Sequence, residues 1–135
     1  MITLRLYKIL KQIIYKINIL NKNKIEIVKL WENPSPTATF EAQSVNAQCS
    51  DYKFIGVDFK GSHIVWVPYS EGRLGAYKQS RAVQASGYSW LGFREFYLYP
   101  TQVTFTAHYH KYVNSTTGQT ISNGNAIPLA IYGLK

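Results

Sequence analysis

The stretch QVTFTAHYHKY, residues 102–112, places His108 and His110 two apart, and this spacing is the clearest hint of chemistry in the chain. In an extended strand, residues i and i+2 share a face and sit roughly 6 to 7 Å apart. Three such pairs around the axis of a trimer would present six imidazoles, a ligand set suited to an octahedral first-row metal. The plainer alternative is two solvent-facing histidines beside Thr106 and Tyr112. It is favoured, because His63 is far off in sequence and Cys49 forms no cluster with them. No metal site and no cofactor are therefore expected.

The acids offer less. Glu32, Glu41, Asp51, Asp58, Glu71 and Glu95 are spread singly, and nothing in their spacing sets two of them across a sugar, as glycoside hydrolysis requires. Gly-rich phosphate loops, nucleophile elbows and metal-protease helices are absent from the sequence. A lone cysteine cannot staple a chain to itself, and without a histidine or acid pattern beside it Cys49 reads as an inert, partly buried thiol. No catalytic residue is assigned, and the chain is not expected to be an enzyme. Aromatic residues crowd the middle third, where most should pack in the core. Tyr88 and Trp90 fall in SGYSW (86–90), read as a turn, and with Tyr69 they are the candidates for stacking on a sugar or anchoring a receptor.

These side chains need a scaffold, and the chain supplies two contrasting pieces. Its 135 residues suffice for one ordinary domain, and a hydrophobic fraction of 46% with 15% aromatics excludes general disorder. Pro34 and Pro36 forbid a continued helix and push the residues before them into extended geometry. Beyond them, alternation and turn signals predict strands near 27–31, 38–47, 52–60, 63–68, 77–85, 90–99, 102–112 and 125–132. In the segment 102–112, Val103, Phe105, Ala107 and Tyr109 share one face, while Thr104, Thr106, His108 and His110 share the other, wet or interfacial one. HIVWVP, 63–68, is apolar on both faces and reads as a central strand or one that meets another subunit. NSTTGQTISNGN, 114–125, reads as a mobile polar loop. The fold class predicted is all-β, an antiparallel β-sandwich, jelly-roll-like, with an N-terminal α-helical arm: residues 1–27 form the arm and 28–135 the sandwich.

Within the arm, Leu6, Leu10, Ile13, Ile17 and Leu20 are spaced by alternating fours and threes, a heptad seam with Leu10 and Ile17 at a and the other three at d. Lys8, Lys11, Lys16 and Lys22 lie off the seam. A helix this short is marginal alone and needs a partner. Self-association is the leading use, with docking on its own domain, a membrane-surface role and disorder as the alternatives. The interrupting lysines argue against a membrane span, and no cleavage site follows, so neither insertion nor a signal peptide is expected. The net charge of +8 belongs mainly to this piece, since residues 1–29 carry +6 and the remainder +2. Scattered charge of that size in the β region gives no basic groove, and no nucleic-acid partner is expected.

Two motifs then carry a likeness. VKLWENPSPTATFEAQSV (28–45), followed by the aromatic strand SDYKFIGVDFK, and the closing NGNAIPLAIYGLK (123–135) resemble the start and end of small β modules in virion proteins of phages infecting Firmicutes: tail, tail-fibre or minor structural proteins. Trp31, Asn33, Pro34, Pro36, Phe40, Gln43 and Tyr52 stand at the opening positions of that pattern, and Ile127, Pro128, Ile131, Tyr132 and Gly133 at the closing ones. The middle of the chain and the arm have no counterpart in it. The resemblance implies a structural or adhesive virion component, commonly trimeric and without catalysis, assembled in the host cytoplasm. On this reading Trp31, Asn33, Pro34 and Pro36 form the junction to other virion proteins, and loops at the far end meet a host surface glycan. The alternative is a stand-alone, lectin-like carbohydrate-binding module.

Overall fold

A computed structural model describes residues 3–22, 24–83, 88–113 and 119–135, with the backbone alone at 81–83, 88, 89 and 113. The arm is a 19-residue helix, α1 (Leu4–Lys22). Thr3 caps it, its hydroxyl accepting the Leu6 amide at 3.3 Å and its carbonyl the Tyr7 amide at 3.0 Å, which satisfies donors that have no partner inside the helix. Lys22 in the last turn suits the negative end of the helix dipole.

Among the described residues ten strands follow: β1 (Ile27–Glu32), β2 (Gln43–Asn46), β3 (Phe54–Phe59), β4 (Ile64–Pro68), β5 (Leu74–Val83), β6 (Tyr88–Leu98), β7 (Gln102–Phe105), β8 (Tyr109–Val113), β9 (Thr120–Ile121) and β10 (Pro128–Leu134). They form two antiparallel sheets, one of four strands in the order β1-β10-β3-β4 and one of six built around β6. The chain is thus an all-β sandwich with an N-terminal helical arm. The last strand lies inside its sheet, between β1 and β3, so it closes the domain. β6 pairs with β5 along one edge, and along the other with β7 and β8 set end to end.

Between the sheets lie Ile55, Val57, Phe59 and Ile131 from the smaller one, and Phe96, Leu98, Val103 and Phe105 from the larger. Aromatic contacts bridge them: Phe59 stacks on Tyr77 at 4.9 Å, and Phe40 meets Phe105 at 5.3 Å and Trp31 at 6.1 Å. Trp31 and Phe40, which flank the Pro34–Pro36 segment in the chain, thus meet edge to face. Asn33 is buried there. Its side chain donates to the Pro128 carbonyl at 2.8 Å and accepts the Ser35 amide at 2.8 Å, forming a turn that pins the opening motif onto the closing one.

Several expected strands differ. The stretch 38–47 yields only β2, because Phe40 turns into the core while its amide bonds the Asn123 carbonyl at 3.0 Å. β4 is an edge strand with Trp66 exposed, not a central one. SGYSW is not a turn in its described part, since Tyr88 to Trp90 open β6. Within the expected polar loop, Thr120 and Ile121 pair with His110 and Tyr109, while 114–118 lie outside the described residues. The largest change is in 102–112. Phe96 opposes Phe105 and Phe93 opposes Tyr109, so three residues, Thr106, Ala107 and His108, face two on β6. This is a β-bulge, and one extra residue moves every later side chain to the other face.

Candidate functional site

Past the bulge, the even-numbered residues turn inward, and both histidines join the buried side of β6. His108 is fully buried and His110 half-buried, which corrects the expectation of two solvent-facing rings. Trp90 stacks over both, its ring centroid 6.0 Å from His108 and 5.8 Å from His110. Gly92, opposite His110, leaves the room: a Cβ there would run into the Trp90 ring and come within 2.9 Å of His108 Cε1.

Ser122, just after β9, bridges the rings. Its Oγ lies 2.8 Å from His108 Nδ1 and 2.9 Å from His110 Nδ1. The His108 amide donates to the Asn123 side-chain oxygen at 3.0 Å, and the His108 carbonyl accepts the Ser122 amide at 2.8 Å. His108 Nε2 is buried without a hydrogen-bond partner. A bare ring nitrogen near a cation is tolerated better than an orphaned N–H, so the network assigns the His108 proton to Nδ1, donating to Ser122, whose hydroxyl then donates to His110 Nδ1.

The nearby cation is Arg94, also fully buried. Its Nε donates to the Ala126 carbonyl at 2.9 Å, Nη1 to Thr106 at 2.8 Å and Nη2 to Asn125 at 3.1 Å, and its guanidinium lies 5.4 Å from the centre of the Phe40 ring. Thr106 belongs to the bulge and the other two precede β10, so one side chain ties the bulge to the chain's return. Ala126 holds a positive φ of 47° there. Burial lowers the Arg94 guanidinium to about 10. Burial first, then Arg94 and His110, press the His108 imidazole down to about 4, against a smaller upward pull from Ser122. A cleft of about 280 Å³ lined by Gln79, Ser80, Trp90 and Asn125 opens beside the cluster.

With both Nδ1 atoms committed to Ser122 and His108 sealed under Trp90, the pair cannot line a trimer axis as paired metal ligands. Among the described residues, no three of His, Cys, Asp and Glu gather as a metal site. Trp90 is 6% exposed, so its ring does not offer an open stacking face. Tyr69 is half-buried against the core next to the start of β5, whereas Trp90 opposes Arg81, seven residues along that strand. Roughly 20 Å of strand separates the start of β5 from Arg81, the residue opposite Trp90. The Tyr88 side chain lies outside the described residues. Of the four junction residues, Trp31 is half-buried against the core, Asn33 is buried, and Pro34 and Pro36 are exposed. Arg94 and Ser122, which build the cluster, have no signature in the sequence: Arg94 sits in ordinary alternation and Ser122 in a polar run.

The arm presents the other candidate surface. No residue of α1 is buried. Leu6, Leu10, Ile13, Ile17 and Leu20 are 41 to 71% exposed. Ile9 and Ile14, beside the seam, widen it. At its foot, Lys22, Lys24, Lys53 and Lys135 line a cleft of about 710 Å³. No described helix is long and apolar enough to cross a membrane. No family model, curated protein or solved structure matches the chain.

Proposed function

We propose that this chain is a non-catalytic assembly and attachment component of a phage virion, joined to copies of itself through α1 and presenting the β-sandwich outward. The observation that carries the reading is the helix without a buried residue, whose seam of five leucines and isoleucines stays in water. Covering such side chains is worth about 1.5–3 kcal/mol each when complete, and three strands cover a seam broadened by Ile9 and Ile14 better than two. The lysines would then point outward, ready for an acidic neighbour in the particle. The pinned contact of Asn33 with Pro128 supports a self-closed module hung from its arm. The likeness of these two motifs to virion modules supplies the setting, and a host glycan remains the expected ligand of the loops.

Light scattering on the full chain tests this. A mass about three times the 15.4 kDa of one chain is expected, falling to one on Leu10→Asp with Ile17→Asp while the strand signal in circular dichroism persists. A wild-type monomer at high micromolar concentration refutes the assembly role.

A further inference from the structure

We propose that His108 is an acid-sensitive latch: when its ring takes up a proton, the segment from Thr120 to Ala126 comes off the six-stranded sheet. The geometry assembles the parts. The segment is fastened through Ser122 to both histidines, through Asn123 to the His108 and Phe40 amides, and through the Asn125 and Ala126 carbonyls to Arg94. Most of these fasteners converge on His108 or on the cation beside it.

The protonated ring has nowhere to place its second N–H. Nε2 is buried and without a partner, and a proton there would add positive charge beside that of Arg94. Among the described side chains, the charged and titratable groups acting on the ring are Arg94 on β6 and His110 on β8; Ser122 and Asn123 from the segment are neutral. Glu95, the acid of β6, points to the opposite face, where it accepts the Tyr97 hydroxyl at 3.3 Å. No Asp or Glu follows it in the chain. From the facing sheet, Asp58 alternates with the buried Val57 and Phe59 and so lies on the outer side.

The sign follows from the lowered pKa. A ring held at about 4 when folded, against an ordinary 6.5, stays neutral in the closed state. The open form takes up the proton from about pH 6.5 downward. Stability of the latch is whole above that value, drains between it and about pH 4, and is lost below. The opening equilibrium should rise about 100-fold between pH 7.5 and pH 4.

Amide hydrogen exchange on the full chain, corrected for intrinsic rates, reads this directly. Protection at Ser122 and His108 should fall about 100-fold over that range, remaining below that of Val57 and Ile131 at pH 4. The His108 ring protons, followed by NMR, should titrate well below 6.5, near the pH at which the loss of protection levels off. His108→Gln, if folded, should abolish the pH dependence. The latch is overturned if His108 titrates at its ordinary value, if the segment stays protected to pH 4, or if it exchanges together with Val57 and Ile131, which would make the event global unfolding.

Discussion

Replacing Arg94 with Met tests whether one buried cation holds the bulge to the chain's return. The side chain gives three charge-assisted hydrogen bonds, to Thr106, Asn125 and Ala126. Such bonds contribute about 1.5–3 kcal/mol each, while taking the cation out of water costs several kcal/mol, so these two terms nearly offset each other. What remains after the change is three carbonyls left without their donor in a dry place. At about 1 kcal/mol apiece, the low end for an unsatisfied buried group, the loss is about 3 kcal/mol. Denaturant unfolding followed by far-ultraviolet circular dichroism should show it, and the melting temperature should fall by about 10 °C. A second reading guards against a merely structural loss: with the charge gone, the His108 imidazole should titrate closer to its ordinary value, because Arg94 is the largest cause of its lowering after burial. A Met variant within about 0.5 kcal/mol of the parent, the range of an ordinary surface change, with His108 unmoved, refutes the reasoning.

Other outcomes are expected. Gly92→Ala should displace the Trp90 ring, costing about 1–3 kcal/mol as overpacking does, with a shifted tryptophan emission as the check. Cys49, fully buried and pushed up to about 11 by burial, should resist thiol reagents at pH 8 until denaturant is added; fast labelling of the native chain contradicts this. Assembly through α1 should tighten with salt, because five basic and no acidic residues repel across the helices and the screening length falls from about 10 Å at 0.1 M to about 3 Å at 1 M; a mass distribution that shifts toward monomer on adding salt counts against it.

Much of the architecture is legible in the residues. The spacing of Leu6, Leu10, Ile13, Ile17 and Leu20 gives a helix because only a 3.6-residue period gathers them on one side. Alternation in QVTF gives a strand for the matching reason, a period of two. The proline break follows from the fixed φ of Pro34 and Pro36. Trp90, by contrast, read as a turn residue because Ser and Gly precede it, yet β5 pairs with β6 through that point and carries it inward.

What the sequence by itself determined is periodicity: which stretches coil, which extend, and where one gives way to the other, all set by steric preferences acting over a few residues. What only the tertiary structure decided is on which side the histidines lie. Through Phe105 the alternation reads correctly, but pairing with β6 absorbs one extra residue at Thr106–His108, and a strand's two-residue period turns that single surplus into a change of face. Arg94 is the companion case. Its burial is acceptable only because carbonyls from the bulge and from Asn125 and Ala126, distant in the chain, converge on it, and no local pattern encodes that convergence.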